Sequence, residues 1–236
     1  MNWEYRPAAD HGLTHAERIK SLKREGGLAE AGIHILWWSL VRAYLAVGHR
    51  LKVVNRERLP SAPPFILIAN HSSHLDALSL MAPLPWRVRE RTHPIAAGDT
   101  FFENVATGTF AAFAINALPL WRKKCDPRDV QAMRARMLEM PCGYVLFPEG
   151  TRTRTGEMAK FKRGIGMLVA GTDVPVVPCR LEGAYAAMPP QNRLPKFTRV
   201  TLTVGEPLRF ASIPNDGDGW ARVAAECEDG VKGLGM

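Results

Sequence analysis

Phe65-Ile66-Leu67-Ile68-Ala69-Asn70-His71-Ser72-Ser73-His74-Leu75-Asp76 decides how the rest of the chain is read. Its first four residues are apolar and partly β-branched, a short run that predicts a buried strand. A histidine stands just past that strand, and an aspartate follows five positions later. Residues three or four apart are neighbours on a helix, while residues five apart diverge by roughly 140° at ~100° per residue. His71 and Asp76 can therefore meet only if His71 lies in a loop and Asp76 in the first helical turn. A carboxylate there also complements the helix dipole. In that geometry Asp76 holds one imidazole nitrogen as N–H and leaves the other to accept a proton, which makes His71 a positioned general base. A helix cap and an unrelated surface histidine would give the same residues, and this stretch alone leaves both readings open.

A second stretch, Phe147-Pro148-Glu149-Gly150-Thr151-Arg152, bears on the choice. It leaves a predicted strand at 143–147, and open α/β sheets place ligands beyond such strand ends. Gly150 permits close backbone approach, Thr151 offers a hydroxyl, and Arg152 carries a planar fork that can grip a phosphate through two bonds. Arg154, Lys160, Lys162 and Arg163 follow within a dozen positions, of which Arg154 and Lys160 read as a solvated basic loop.

Taken together, H-x-x-x-x-D at 71–76 and F-P-E-G-T-R at 147–152 resemble the paired signatures of the glycerolipid acyltransferase family, in the same order and at a fitting separation. An apolar, glycine-bearing block from Phe101 to Arg122 and the proline-flanked run Val174-Pro175-Val176-Val177-Pro178 are similar to two further signatures. The resemblance extends over about residues 50–210. It implies transfer of a fatty acyl group from an acyl thioester, acyl-CoA or acyl carrier protein, to the hydroxyl of a lysophospholipid. The acceptor it points to is 1-acyl-sn-glycerol-3-phosphate, giving phosphatidate. It also implies that Arg152 and Arg122 hold phosphate groups and that Glu149 helps to shape the site. Lysophosphatidate acyltransferases usually show a lysine shortly before the block at 101–122, where this chain has Ala96-Ala97-Gly98-Asp99. That departure admits another acceptor, such as a lyso-aminolipid.

The chain has 236 residues, 46% of them hydrophobic and 23% charged, which suits one folded domain and excludes a disordered chain. A net charge of +8 points to an anionic partner: a phospholipid surface, a nucleotide-bearing molecule or nucleic acid. Aromatic residues are not interleaved with the cations as a single-strand binder would have them, so nucleic acid is set aside. Four cysteines without a C-x-x-C pair suggest neither a zinc site nor a disulfide framework. Residues 1–11 are polar and do not read as a signal peptide, so a cytoplasmic setting is expected. No P-loop, no dinucleotide fingerprint and no G-x-S-x-G elbow is present, and no metal or bound cofactor is expected.

Thr14-His15-Ala16-Glu17 has the form of a capping box opening a basic helix that Gly26-Gly27 would end. A second helix is expected over 28–48. Its apolar run is interrupted by His34 and Arg42, so it falls short of a span, and Trp37-Trp38 suit a helix lying in a membrane interface. The alternative is a helix packed on the core of its own domain. Strand and helix patterns then alternate. Strands are expected at 51–55, 65–68, 93–97, 143–147, 174–180 and 199–204, and helices after Asp76, after Asp126, and over 163–171 and 221–231. Residues 101–120 read as a helix and buried loop. His74 reads as a surface or structural residue on the opposite side of its turn from His71. The expectation is a single α/β domain with a central mixed sheet flanked by helices over 50–236, preceded over 1–49 by a pair of membrane-interface helices. The protein so described is a peripheral enzyme on the cytoplasmic face of an anionic phospholipid membrane. Two rivals stay open: a non-catalytic basic membrane-binding module, and a metal-dependent phosphate-ester hydrolase.

Overall fold

The strand opening the decisive stretch spans Phe65–Ala69, and all five of its residues are fully buried. This computed structural model describes residues 10–22, 24, 28–121, 126–192 and 194–235, with 28–31 as backbone. Seven strands are formed among them: β1 (Lys52–Val54), β2 (Phe65–Ala69), β3 (Thr92–Ala97), β4 (Leu118–Leu120), β5 (Gly143–Leu146), β6 (Val176–Glu182) and β7 (Thr201–Val204). The helices are α1 (His15–Arg18), α2 (Leu28–Gly48), α3 (Asp76–Met81), α4 (Trp86–Arg89), α5 (Gly98–Phe101), α6 (Val105–Thr109), α7 (Pro127–Glu139), α8 (Gly164–Val169), α9 (Ala184–Ala187) and α10 (Gly217–Lys232).

The strands form one sheet in the order β1-β7-β6-β2-β5-β3-β4. Only β6 and β7 run antiparallel, so the sheet is mixed and mostly parallel. Alternate β2 side chains serve opposite faces, as the two-residue period of a strand requires. Phe65, Leu67 and Ala69 join a core with Trp38, Leu45, Leu80 and Met81. Ile66 and Ile68 join the other with Met133, Ile165, Leu168 and Cys227. The chain leaving β2 thus goes to the face covered by α2 and α3, and the chain leaving its neighbour β5 goes to the face of α7, α8 and α10. Adjacent parallel strands whose connections depart to opposite faces leave a crevice beyond their carboxyl ends. Ile68 pairs with Leu146, so the loops beginning at Asn70 and Phe147 issue side by side there.

Two close approaches fix the layers. A Cβ on Gly143 would lie 2.4 Å from the Phe65 ring, and one on Gly166 would lie 2.4 Å from the Trp220 backbone, where α8 meets α10. The helix opened by Asp126 and Pro127 runs to Glu139, with the Asp126 carboxylate accepting from Arg128 N at 2.8 Å.

Three elements depart from the sequence reading. First, the capping box at Thr14 and Glu17 forms, yet α1 is only four residues long, and Gly26-Gly27 lies outside the described residues. Ile19, just past α1, is fully buried beside Phe102, Ala111 and Ala112, and Arg24 donates to Ala112 O and Ala117 O at 3.0 and 3.2 Å. Second, residues 101–120 hold α5, α6, a π-helical turn (Phe110–Ala114) and the unforeseen β4. β4 is three residues long with Pro119 at its centre, tolerated because it is an edge strand paired on one side with β3. Third, α2 divides its apolar residues between two faces. Trp38, Val41 and Leu45 enter the core, with the Arg89 guanidinium 4.9 Å over the Trp38 ring, so this tryptophan is no interfacial anchor. Ile33, Leu36, Leu40 and Val47 face outward, 59–81% exposed. No helix among the described residues is long and apolar enough to cross a membrane.

Candidate active site

His71 stands in the loop after β2, and Asp76 is the first residue of α3, fully buried. His71 Nδ1 lies 2.9 Å from Asp76 Oδ2. The same oxygen accepts from Ser72 N at 2.6 Å and from Ser73 N at 2.8 Å. Three donors on one oxygen lock the loop around the carboxylate. A carboxylate oxygen only accepts, so Nδ1 carries the hydrogen and Nε2 presents its lone pair outward. The imidazole stacks on Phe147, with centroids 4.0 Å apart and planes at 15°, which fixes the direction of that lone pair.

The neighbouring loop is tied to the first by backbone. Glu149 is buried; its Oε1 accepts from His71 N at 2.6 Å and its Oε2 from Ala159 N at 2.7 Å. Thr153 N donates to His71 O at 2.9 Å. Burial pushes the Glu149 carboxyl above the usual range, against the pull of those two donors. With a backbone N–H on each oxygen, Glu149 ties the loop after β2 to the loop after β5, and it is not among the residues that line the crevice. Gly150 takes φ +77°, the left-handed region that favours glycine, so the chain can turn there. Thr151 and Arg152 then line the crevice. Arg122 lies outside the described residues.

Three further residues build the site, Asn70 and Ser73 without having been singled out and His74 in a role other than the one expected. Asn70 donates from Nδ2 to Leu181 O at 2.9 Å and accepts from Leu181 N at 2.8 Å. Its amide thereby extends the β2–β6 ladder by one side-chain rung and sets where His71 begins. Ser73 donates its hydroxyl to Met188 O at 2.9 Å, anchoring the turn on the far side. His74, expected as a bystander, has its Nε2 accepting from Arg152 Nη1. Burial and then the guanidinium push His74 below the usual histidine range, which keeps it a neutral acceptor. The available signal was its position three residues after His71, which returns a side chain to the same side of a tight turn.

Below these loops lies a cavity of about 1330 Å³. Its lining combines the polar side chains of His71, Arg152 and Lys162 with the apolar ones of Leu120, Val130, Met133, Leu146, Ile165 and Leu168. Trp37 and Phe110, packed edge to face at 5.7 Å, stand at its border with α2. Among the described residues no cluster of three His, Cys, Asp or Glu side chains is placed to hold a metal ion.

Fold and site define a mixed α/β protein that poises a histidine–aspartate pair at the mouth of an apolar, cation-rimmed cavity. Residues 50–182 match the acyltransferase family, and the chain belongs to that family. It is 32% identical over 146 residues to the 1-acyl-sn-glycerol-3-phosphate acyltransferase alpha of Mus musculus, covering 61% of this chain and 49% of the relative. With the 1-acyl-sn-glycerol-3-phosphate acyltransferase of Bacillus subtilis it shares 28% identity over 179 residues, covering 74% of this chain and 83% of the relative. The chain spans about half the length of the mammalian relatives it matches. The crystal structure of the 1-acyl-sn-glycerophosphate (LPA) acyltransferase PlsC from Thermotoga maritima shares its fold, at TM-score 0.65 and 21% identity over 87% of this chain and 80% of that one.

Proposed function

We propose that this chain is an O-acyltransferase that moves a fatty acyl group from an acyl thioester to the free hydroxyl of 1-acyl-sn-glycerol-3-phosphate, giving phosphatidate for phospholipid synthesis. The observation that carries the reading is the His71–Asp76 pair at 2.9 Å, its free nitrogen opening on an apolar cavity rimmed by Arg152. The acceptor is taken from the activity of the related 1-acyl-sn-glycerol-3-phosphate acyltransferases. His71 Nε2 takes the hydroxyl proton as the oxygen attacks the thioester carbon, and Asp76 steadies the imidazolium. The tetrahedral adduct collapses by breaking its C–S bond, and the departing thiolate recovers the proton from His71. A thioester is already activated, so the step needs no acyl-enzyme, metal or bound cofactor. The acyl chain lies against the cavity's apolar lining, and Arg152 grips the acceptor phosphate through its fork. The donor is acyl-CoA or acyl carrier protein, and the net charge of +8 suits either anionic carrier.

The acceptor is a membrane lipid, and the fold offers a matching surface. Ile33, Leu36, Leu40 and Val47 present exposed apolar side chains on α2, whose Trp37 packs on the exposed, cavity-lining Phe110. The reading places the enzyme peripherally on the cytoplasmic face of an anionic phospholipid membrane. The test is to incubate the purified chain with acyl-CoA and a panel of lysolipids and to follow products by mass spectrometry. Phosphatidate formed from lysophosphatidate and undiminished by chelators supports it. Product from a lyso-aminolipid alone refutes the acceptor, and loss of activity on chelation refutes the metal-free mechanism.

A further inference from the structure

We propose that Lys162 is the second cation of the acceptor's phosphate site, laid across Gly150 beside Arg152. The inference rests on the reading that the acceptor carries a phosphomonoester. The stretch Ala96-Ala97-Gly98-Asp99 brings no lysine or arginine to the cavity, whose lining holds only Arg152, Arg154 and Lys162 of those two residue types among the described residues. Lys162 is the one whose position the phosphate loop itself defines. A Cβ on Gly150 would lie 2.6 Å from Lys162 Nζ, 3.0 Å from its Cε and 3.2 Å from its Cδ. The last three atoms of the lysine thus run along the bare α-carbon of the glycine, so its amine is held against the loop that carries Thr151 and Arg152.

The backbone holds it there as well. Lys162 N donates to Pro148 O at 2.9 Å, and the preceding Phe161 is buried with its N–H on Glu228 Oε2 at 2.8 Å. Among the described residues Lys162 forms no ion pair, and Glu149, the acid of the motif, is bonded instead to the backbone N–H groups of His71 and Ala159. A flexible cation placed over a loop and left without a carboxylate is suited to an anion that arrives with the substrate. The acceptor's phosphate and the phosphates of a nucleotide-bearing donor share that chemistry, and the inference commits to the acceptor.

The experiment compares the full chain with Lys162→Met, Lys162→Arg and, as a control, Lys160→Met. Rates are measured with lysophosphatidate and with monoacylglycerol, and with acyl-CoA and an acyl-N-acetylcysteamine thioester that has no phosphate. A charge-assisted bond lost from the phosphate predicts that Lys162→Met lowers kcat/KM for lysophosphatidate about tenfold or more, mainly through KM. Rates on monoacylglycerol and the KM for acyl-CoA hold within about twofold, so the preference for the phosphorylated acceptor collapses. Lys162→Arg keeps part of the preference, and Lys160→Met keeps all of it. An unchanged preference in Lys162→Met overturns the assignment, as does a rise confined to the KM for acyl-CoA, which would give the lysine to the donor. If the unsubstituted chain uses monoacylglycerol as well as lysophosphatidate, the phosphate-bearing acceptor itself is wrong and this assignment falls with it. Matching circular dichroism and melting curves confirm that each variant is folded.

Discussion

In the proposed mechanism His71 and Asp76 divide one task between them, and their substitutions separate the parts. His71→Ala removes the base, and general-base catalysis is worth ~10² to 10⁴ in rate, so turnover should fall by that factor in a folded protein. Asp76→Asn puts an amide where Ser72 N, Ser73 N and His71 Nδ1 all converge on one oxygen. It should cost activity comparably and some stability too, whereas His71→Ala should leave the melting temperature nearly unchanged. Near-normal turnover in folded His71→Ala would remove the mechanism. His74 adds a pH signature. Its pKa is lowered, so at neutral pH it is an acceptor for Arg152. Protonation in mild acid sets a second positive charge against the guanidinium, with His71 and Asp76 also facing it. The KM for lysophosphatidate should therefore rise as pH falls below the ordinary histidine range, and His74→Gln should flatten that rise. A KM profile identical in His74→Gln and the unsubstituted chain would show that His74 does not brace Arg152.

At the scale of elements, β2, β5, α3 and α7 were legible because each carries its own local signal: a short apolar run for the strands, an acid in the first turn of α3, and a cap followed by proline for α7. The spacing also showed where His71 and Asp76 must lie if they meet, in a loop and a first helical turn, while the second motif was needed to favour that pairing over a cap and a surface histidine. Glu149 as a clamp, Asn70 as a ladder rung and His74 as a partner of Arg152 were not legible, because each depends on a segment 78 to 111 positions away. β4 escaped because a three-residue edge strand has no periodicity to read. A buried histidine ties that hidden strand's surroundings together. His93 Nδ1 donates to Asn116 O at 3.1 Å and its Nε2 accepts from Arg136 at 3.1 Å, joining β3, the segment before β4, and α7. Burial, reinforced by Arg136, lowers its pKa from 6.5 to about 3. The unfolded chain then binds a proton first, so the stability that neutral His93 contributes is complete above pH 6.5 and is lost as pH falls toward about 3. Thermal melts should decline over that window, and His93→Gln should reduce the slope while lowering stability at neutral pH. An unaltered slope in His93→Gln would assign acid sensitivity elsewhere.

For the whole molecule, the question is how the proposed lipid acceptor would reach the cavity. Removing residues 1–48 would not answer it, because α2 gives Trp38, Val41 and Leu45 to the core and their loss would unfold what is being tested. The outward stripe is separable. Leu36 and Leu40 are 65% and 59% exposed, on the same side of α2 as Ile33 by helical spacing. Burying one such side chain in an apolar phase contributes ~1.5–3 kcal/mol, and replacing two with aspartates also sets like charge against an anionic surface. Leu36→Asp/Leu40→Asp should therefore melt like the unsubstituted chain, yet bind anionic vesicles at least about tenfold more weakly. The net charge of +8 adds an electrostatic attraction, so binding of the unsubstituted chain should also weaken with salt. Activity on lysophosphatidate embedded in vesicles should fall with binding, while activity on a short-chain acceptor dispersed in water should persist, since the His71–Asp76 pair is untouched. If the double variant sediments with anionic vesicles as fully as the unsubstituted chain, the α2 stripe is not the membrane face. If both activities fall together, the stripe shapes the cavity and lipid delivery must come from another surface.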